Sequence, residues 1–474
     1  LSVSILFHFG SPQKGMRFFS AGSFLTLVLF ILTTYGFGIY IENFAQYNQL
    51  YGSIGALLIF LLYIWLNATI LLLGFELNAS LMKLQLSSKS EEQKVIESLK
   101  NPNNTSNKYW QEMYANQFII DDDVNEKKLI SENHWKGVVS SETYSITIIT
   151  TLSCNLNCVY CYQKNMNLTQ LSFTDEDYRG LYQFISTLNC KYININFYGG
   201  EPLLCYEQII KFMNKLAKDK KHEYFYSIST NATIFDFNKI KKLKEYGLTS
   251  IDTTLAGNYL DHNKLRKSIQ YTQKDIIENI VNYSKYVDVV VCINLCRENL
   301  EGIRELILEL SAYKDLPIYI TFNRIESHIN NPCDEIVLSE DEYMTKVIEF
   351  ANYALDNKVK ICDMSCFQNN GIFCGAYSNT NITVGPQLYI YKCENKFVPE
   401  TAFGRINDGK IVINSKNNIE AYKENYKFCN DCKLLPYCNG GCQENLRQTG
   451  SPCPVEKLYL KDYLVLYYRK NCEI

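Results

Sequence analysis

The chain has 474 residues, about three domains' worth with room for a large buried core, which excludes a small disulfide-stapled scaffold. Its 47 basic and 50 acidic residues leave a net charge of -3, so charge gives no reason to expect nucleic acid as a partner. The 18 cysteines, in a chain without a cleavable signal-peptide pattern, point to metal or cluster ligation rather than to disulfides.

Phe18 to Ile41 and Leu50 to Phe75 are apolar runs of 20 or more residues with no internal charge, each long enough to cross about 30 Å of hydrocarbon. Glu42 to Gln49 between them holds no Lys or Arg, whereas Lys14 and Arg17 precede the first run and Lys83 and Lys89 follow the second. That asymmetry predicts a two-helix transmembrane hairpin with both ends, and everything after residue 85, in the cytoplasm. A buried helical hairpin of a soluble domain is the alternative.

Tyr40 to Ala79, with YGSIGA and LLGFELNA, resembles the last two transmembrane helices of the YihY/BrkB family of bacterial membrane proteins. The likeness covers residues 1 to about 85. The chain starts at Leu1 and the four helices that precede these two in the family are absent, so a truncated or fused reading frame is expected. Residues 1–86 would then be a hairpin that anchors the chain in the inner membrane through residues 18–75.

Residues 87–142 read as a linker and N-terminal extension, polar and ending its first part in NPNNTSN. From Tyr144 short β-rich runs alternate with helix-like stretches: YSITIIT, YININFY, YFYSIST, SIDTTL, DVVVCINL and PIYITFN. Six βα repeats over residues 143–355 predict a parallel sheet covered by helices, either a partial barrel or an open doubly wound sheet. Ligands bind at the carboxyl ends of such strands. A cysteine cluster follows the first strand, a glycine pair the second and Thr230–Asn231 the third. Residues 356–474 are loop-rich and dense in cysteine, a composition that takes its shape from metal.

Cys154, Cys158 and Cys161 form C-x3-C-x2-C directly after a strand. Three thiolates on one tight loop can hold three irons of a cubane and leave the fourth open to a substrate, whereas structural zinc wants a fourth protein ligand. The motif and its setting resemble the radical S-adenosylmethionine (radical SAM) superfamily, which implies a partial (β/α)6 barrel within an α/β fold, a 4Fe-4S cluster and S-adenosyl-L-methionine. Gly199, Gly200, Glu201 and Pro202 match the family's GGEP element beside the methionine amino group. Ser229 and Asn231 match its STNG-like strand end near the ribose, and Thr254 falls where relatives carry Ser. Ala256 replaces the usual Asp of that element, and His262 and Arg266 match a looser pattern in which Asn263 replaces another Asp. Tyr160 fits the family position that packs against adenine.

Cys429, Cys432, Cys438 and Cys442 form C-x2-C-x5-C-x3-C, a spacing that chance supplies in roughly one chain in a thousand of this composition. Alone it is also compatible with a zinc knuckle. Beside the first motif it resembles a SPASM domain, which implies two auxiliary 4Fe-4S clusters. Carried over residue by residue, Cys374, Cys393 and Cys442 serve one, with Cys366 preferred to Cys362 as its fourth ligand. Cys429, Cys432, Cys438 and Cys453 serve the other. Leu388 stands where the family has Gly, five residues before Cys393. The remaining seven cysteines, Cys292 and Cys362 among them, read as buried small apolar residues.

The resemblance implies reductive cleavage of S-adenosylmethionine to methionine and a 5'-deoxyadenosyl radical, fed by a donor such as a flavodoxin or ferredoxin. SPASM relatives mostly modify peptides, so a peptide or protein maturase is the leading expectation. An anaerobic sulfatase-maturating enzyme forming formylglycine is the nearest alternative. A membrane-bound zinc or redox protein without radical chemistry is the alternative from another class. No catalytic base is assigned.

Overall fold

The computed structural model describes residues 21–44, 61–73, 142–164, 172–328, 331–362, 374–394, 399–414 and 459–472, with isolated positions between them. The chain divides into two compact units, Leu1–Val124 and Asn125–Ile474.

In the first unit, α1 (Ala21–Phe44) carries the one stretch among the described residues that is long and apolar enough to cross a membrane, Ser23–Glu42 at a mean hydropathy of 2.0. The second expected span is described only as the shorter apolar helix α2 (Leu61–Leu73). Tyr63 of α2 joins the two: its hydroxyl lies 2.9 Å from that of Thr34, and its ring stacks on Phe37 at 4.4 Å. Of the second expected span, Leu50 to Phe75, only residues 61–73 lie among the described residues.

The second unit is built on one sheet. Six strands, β1 (Thr143–Thr151), β2 (Tyr192–Gly199), β3 (Glu223–Ser229), β4 (Leu248–Leu255), β5 (Asp288–Leu295) and β6 (Ile318–Arg324), lie side by side in chain order, all parallel. Sequential order without reversal keeps every right-handed crossover on one face, which selects the curled arrangement over a doubly wound sheet. The crossovers are α3 (Asp175–Thr187), α4 (Tyr206–Leu216), α5 (Phe237–Glu245), the pair α6 (Tyr259–Leu265) and α7 (Gln273–Tyr283), and α8 (Ile303–Ser311). After β6 the helix α9 (Glu340–Asp356) leads to a short seventh strand, β7 (Lys360–Ile361), parallel to β6.

Alternation along each strand separates the two faces. Ile146 and Ile148, Ile193 and Phe197, and Val291 and Ile293 are buried in the main core beneath the helices. Asn196, Ser229, Asp252, Cys292, Asn294 and Asn323 occupy the opposite face and line a single cavity of about 840 Å³. Five adjacent strands, β2 to β6, can share one cavity only if the sheet curls around it. The helices answer with matching apolar stripes, as in α4, where Tyr206, Ile209, Ile210, Met213 and Leu216 are buried.

The sheet extends beyond the six expected strands. β8 (Asn381–Val384) pairs parallel with β1, and β9 (Tyr389–Tyr391), β10 (Gly404–Asn407) and β11 (Lys410–Ile413) continue antiparallel from it, giving a mixed sheet of 11 strands. Part of the segment read as loop-rich is therefore strand. Its runs NITV, YIY and KIVI are only three or four residues long, too short for a period to declare itself. At the far end, α10 (Leu460–Cys472) docks on α9 through an Arg469–Asp356 ion pair at 2.6 Å.

Candidate functional site

Strand β1 ends in the three-cysteine loop, and that loop is tied down from several sides. Asn157–Cys158 pairs antiparallel with Arg266–Lys267, and the Val159 amide donates to Leu265 O at 2.9 Å. The Asn331 side-chain amide donates to the carbonyls of Val159 and Cys161 at 2.7 and 3.2 Å. Cys154 is exposed and Cys158 and Cys161 are half-buried. All three line the cavity. Cys154 Sγ accepts from the Leu156 amide at 3.4 Å and from Asn231 Nδ2 at 3.6 Å.

Burial raises all three thiol pKa values, while amide donors and, for Cys158 and Cys161, the Arg266 charge pull the other way. A bound metal outweighs such desolvation and deprotonates a coordinating thiol outright. The donor set, three sulfurs on one loop facing a cavity, with N–H donors and a cation beside them, fits an iron-sulfur cluster. Among the described residues no group of three His, Cys, Asp or Glu side chains is arranged to hold a metal ion directly.

The glycine pair closes under this loop. A Cβ on Gly200 would lie 2.4 Å from Ser153 O and 2.7 Å from Leu152 O, and one on Gly199, at φ +134°, would lie 2.1 Å from Thr151 O. These obstacles are backbone, so only glycine admits the approach. The Gly200 and Glu201 amides then donate to Thr151 O and Ser153 O at 2.7 and 2.9 Å.

Glu201 is fully buried. Its Oε1 accepts from the Thr230 hydroxyl at 2.8 Å and the Leu203 amide at 2.9 Å, and its Oε2 from the Asn231 amide at 2.7 Å. Asn231 Nδ2 in turn donates to Asn155 Oδ1 at 2.8 Å. One carboxylate thus ties the ends of β2 and β3 to the cysteine loop.

Tyr160, Gly199, Gly200, Ser229, Asn231 and Thr254 therefore come together on the cavity, whereas Glu201 and Pro202 stand behind it. Arg266, 7% exposed, donates from Nη1 to Thr254 O at 2.8 Å, and its Nε is buried without a partner. His262, equally buried, accepts the Ala256 amide on Nδ1 at 3.3 Å, and burial, helped by the Arg266 charge, pulls its pKa down to about 3.

Sequence reading missed Asn196, Asp252, Asn294 and Asn323 as cavity residues, although each is a polar position on the strand face opposite the buried Ile, Val and Phe residues. Tyr162 and Tyr198, whose hydroxyls meet at 2.6 Å, also line the cavity, as does Glu394. Burial raises the Asp252 and Glu394 pKa values, and the Asp252 charge adds to the rise at Glu394.

In the later segment, Cys374 hydrogen-bonds Cys442, and the Cys393 charge, like burial, raises the Cys374 thiol. The Cys362 charge acts weakly on Cys292. Cys432, Cys438 and Cys453 are described individually, Cys453 exposed, and Cys366 and Cys429 lie outside the described residues.

Residues 148–310 match the family described as the Radical SAM superfamily, and residues 1–97 match Virulence factor BrkB. The Radical SAM cyclopropyl synthase TigE of Paramaledivibacter caminithermalis is 22% identical over 369 residues, 70% of this chain and 75% of that protein. A UPF0761 membrane protein of Kangiella koreensis is 35% identical over 91 residues, 19% of this chain, which span 23% of that protein's length. Among solved structures, native anSMEcpe with bound AdoMet and Cp18Cys peptide matches with a TM-score of 0.54 at 19% identity, covering 69% of this chain and 97% of that one. Streptococcus suis SuiB matches at 0.50 and 15% identity, covering 80% and 88%. These structural likenesses are of fold. The chain carries a radical SAM domain behind a BrkB-like N-terminal segment, and that domain implies a 4Fe-4S cluster and S-adenosylmethionine.

Proposed function

We propose that the chain is a radical SAM enzyme that modifies a peptide or protein side chain, a maturase with a SPASM-type C-terminal segment. The observation that carries this is the three-thiol loop opening on a cavity lined by the polar faces of five strands, β2 to β6. At about 840 Å³ the cavity lies in the upper range of small-molecule sites, room for S-adenosylmethionine and one substrate side chain but not for a folded domain. A protein substrate must therefore offer an extended segment or an exposed tip. The names of its relatives agree with that substrate class, a cyclopropyl synthase and a fold neighbour solved with a peptide.

Cys154, Cys158 and Cys161 would hold the cluster, which supplies one electron to cleave S-adenosylmethionine. Gly199, Gly200, Ser229, Asn231, Thr254 and Tyr160 would receive that cofactor along the strand ends. Arg266 would offset the negative charge that thiolates bring to the loop. Cys374, Cys393 and Cys442, with Cys366, would hold one auxiliary cluster, and Cys429, Cys432, Cys438 and Cys453 another. The electron donor would be a flavodoxin or ferredoxin in the cytoplasm, with the N-terminal helices anchoring the enzyme at the inner membrane.

The test is anaerobic reconstitution of the full chain with iron and sulfide, followed by S-adenosylmethionine and dithionite. About twelve irons per chain and release of 5'-deoxyadenosine are expected. Bound zinc with no 5'-deoxyadenosine overturns the reading. Cys158→Ala should abolish cleavage, and Cys432→Ala should spare it; equal residual cleavage in both contradicts the division of roles.

A further inference from the structure

A cavity that confines a carbon-centred radical must keep weak X–H bonds away from it unless they are used. The sulfhydryl S–H bond is weaker than an unactivated aliphatic C–H bond and comparable to a peptide Cα–H bond, so it yields its hydrogen atom readily. Four cysteines line the cavity, and three of them are the loop thiols. The fourth is Cys292.

Cys292 sits in the middle of β5, between neighbours Val291 and Ile293 that face the helices and are fully buried. Its own side chain takes the opposite face, in register with Thr254 of β4 and Thr321 of β6. Cys292 lines the same cavity as Arg266 and the loop thiols. Arg266, which also lines the cavity, keeps a buried Nε without a hydrogen-bond partner. Burial and the Asp252 charge push the Cys292 thiol up to about 12, so it keeps its hydrogen at neutral pH.

We propose that Cys292 is the hydrogen-atom donor of this cavity, quenching a carbon-centred radical formed within it. The inference rests on the radical SAM reading above. In the step, the S–H bond breaks and a C–H bond forms at the radical carbon, leaving a thiyl radical on Cys292. One electron from the low-potential donor and one proton from solvent restore the thiol. Because the thiol hydrogen exchanges with water, the quenched carbon acquires one solvent hydrogen. A peptide so treated returns to its starting oxidation level, as in inversion of a stereocentre.

The test needs no peptide. The reconstituted full chain is given S-adenosylmethionine and dithionite in D2O, where uncoupled turnover quenches the radical on whatever donor is nearest. The fraction of 5'-deoxyadenosine carrying one extra deuterium is read by mass spectrometry and normalised to the total formed. The wild type should give mostly labelled product, and Cys292→Ala should lower the labelled fraction at least five-fold. Cys292→Ser keeps the size and polarity of the site but has too strong an O–H bond to donate, so it should behave as the alanine variant does. An unchanged labelled fraction in the serine variant overturns the proposal while leaving the radical SAM reading intact. No 5'-deoxyadenosine from the wild type overturns the reading itself.

Discussion

Glu201 shows how one side chain can hold a site together without entering it. Its two oxygens collect three N–H and O–H donors from the segment after β2 and from the end of β3, inside a fully buried pocket. Burial raises its pKa, and the same donors oppose that rise. Replacing it with Gln puts an amide NH2 where an acceptor was and leaves one donor facing another. A buried donor without a partner costs about 1–3 kcal/mol, so Glu201→Gln should lower the melting temperature of the chain by several degrees. It should also weaken S-adenosylmethionine binding, because Asn231 and the cysteine loop lose their common tether. Melting followed by circular dichroism checks the first and equilibrium dialysis the second. An unchanged melting temperature would show that the carboxylate is not holding the strand ends. The sequence motif alone could not separate this tether from a direct contact with cofactor, since both roles favour the same residue at the same place.

At the scale of elements, helix α6 shows a second kind of coupling. Asn258 caps it, its Oδ1 accepting the Asp261 amide at 3.0 Å, and the next residue, His262, turns inward to receive the Ala256 amide. A histidine buried as a neutral acceptor makes stability depend on pH. Its pKa is about 3 in the fold and about 6.5 when unfolded, so between these values only the unfolded chain takes up the proton. The contribution is complete above pH 6.5 and falls as pH drops, by about 2 kcal/mol at pH 5. His262→Gln offers Ala256 another acceptor without the titration, so its urea midpoint should change less between pH 7.5 and pH 5 than that of the wild type. Parallel profiles would refute this origin.

The six long strands were legible because each alternates over seven or more residues, with Ile, Val and Phe on one face. The same alternation held an unused signal, since Asn196, Asp252, Cys292 and Asn323 are the off-face residues of those runs. Cys292 was read as an inert small apolar residue because composition reports what a thiol usually does, not which side of a strand it occupies. The strands β8 to β11 were missed for length. Pairing with β1, which only the folded sheet supplies, is what makes Asn381–Val384 a strand.

For the molecule as a whole, the BrkB-like segment and the radical SAM domain place their apolar residues differently. On α1, Phe24, Ile31 and Leu32 are exposed by 60–70%, a density of apolar surface that a chain in water does not leave uncovered. Only 6% of its apolar window is buried within the protein. Lipid satisfies that surface at no packing cost, and the hydrogen bonds of a helix are already internal. The second unit instead buries its apolar residues in its own core. Leu32→Arg places a charge near the centre of α1, which costs about 2.5–3.5 kcal/mol in a membrane and little in water. The wild-type chain should therefore remain with membranes through a carbonate wash and dissolve only in detergent, while Leu32→Arg should shift markedly to the wash. Its 5'-deoxyadenosine yield per iron should match the wild type, since no residue of the cysteine loop or cavity lies in that unit. A wild-type chain that already sediments as a soluble protein would remove the anchor from the account and leave the enzyme half untouched.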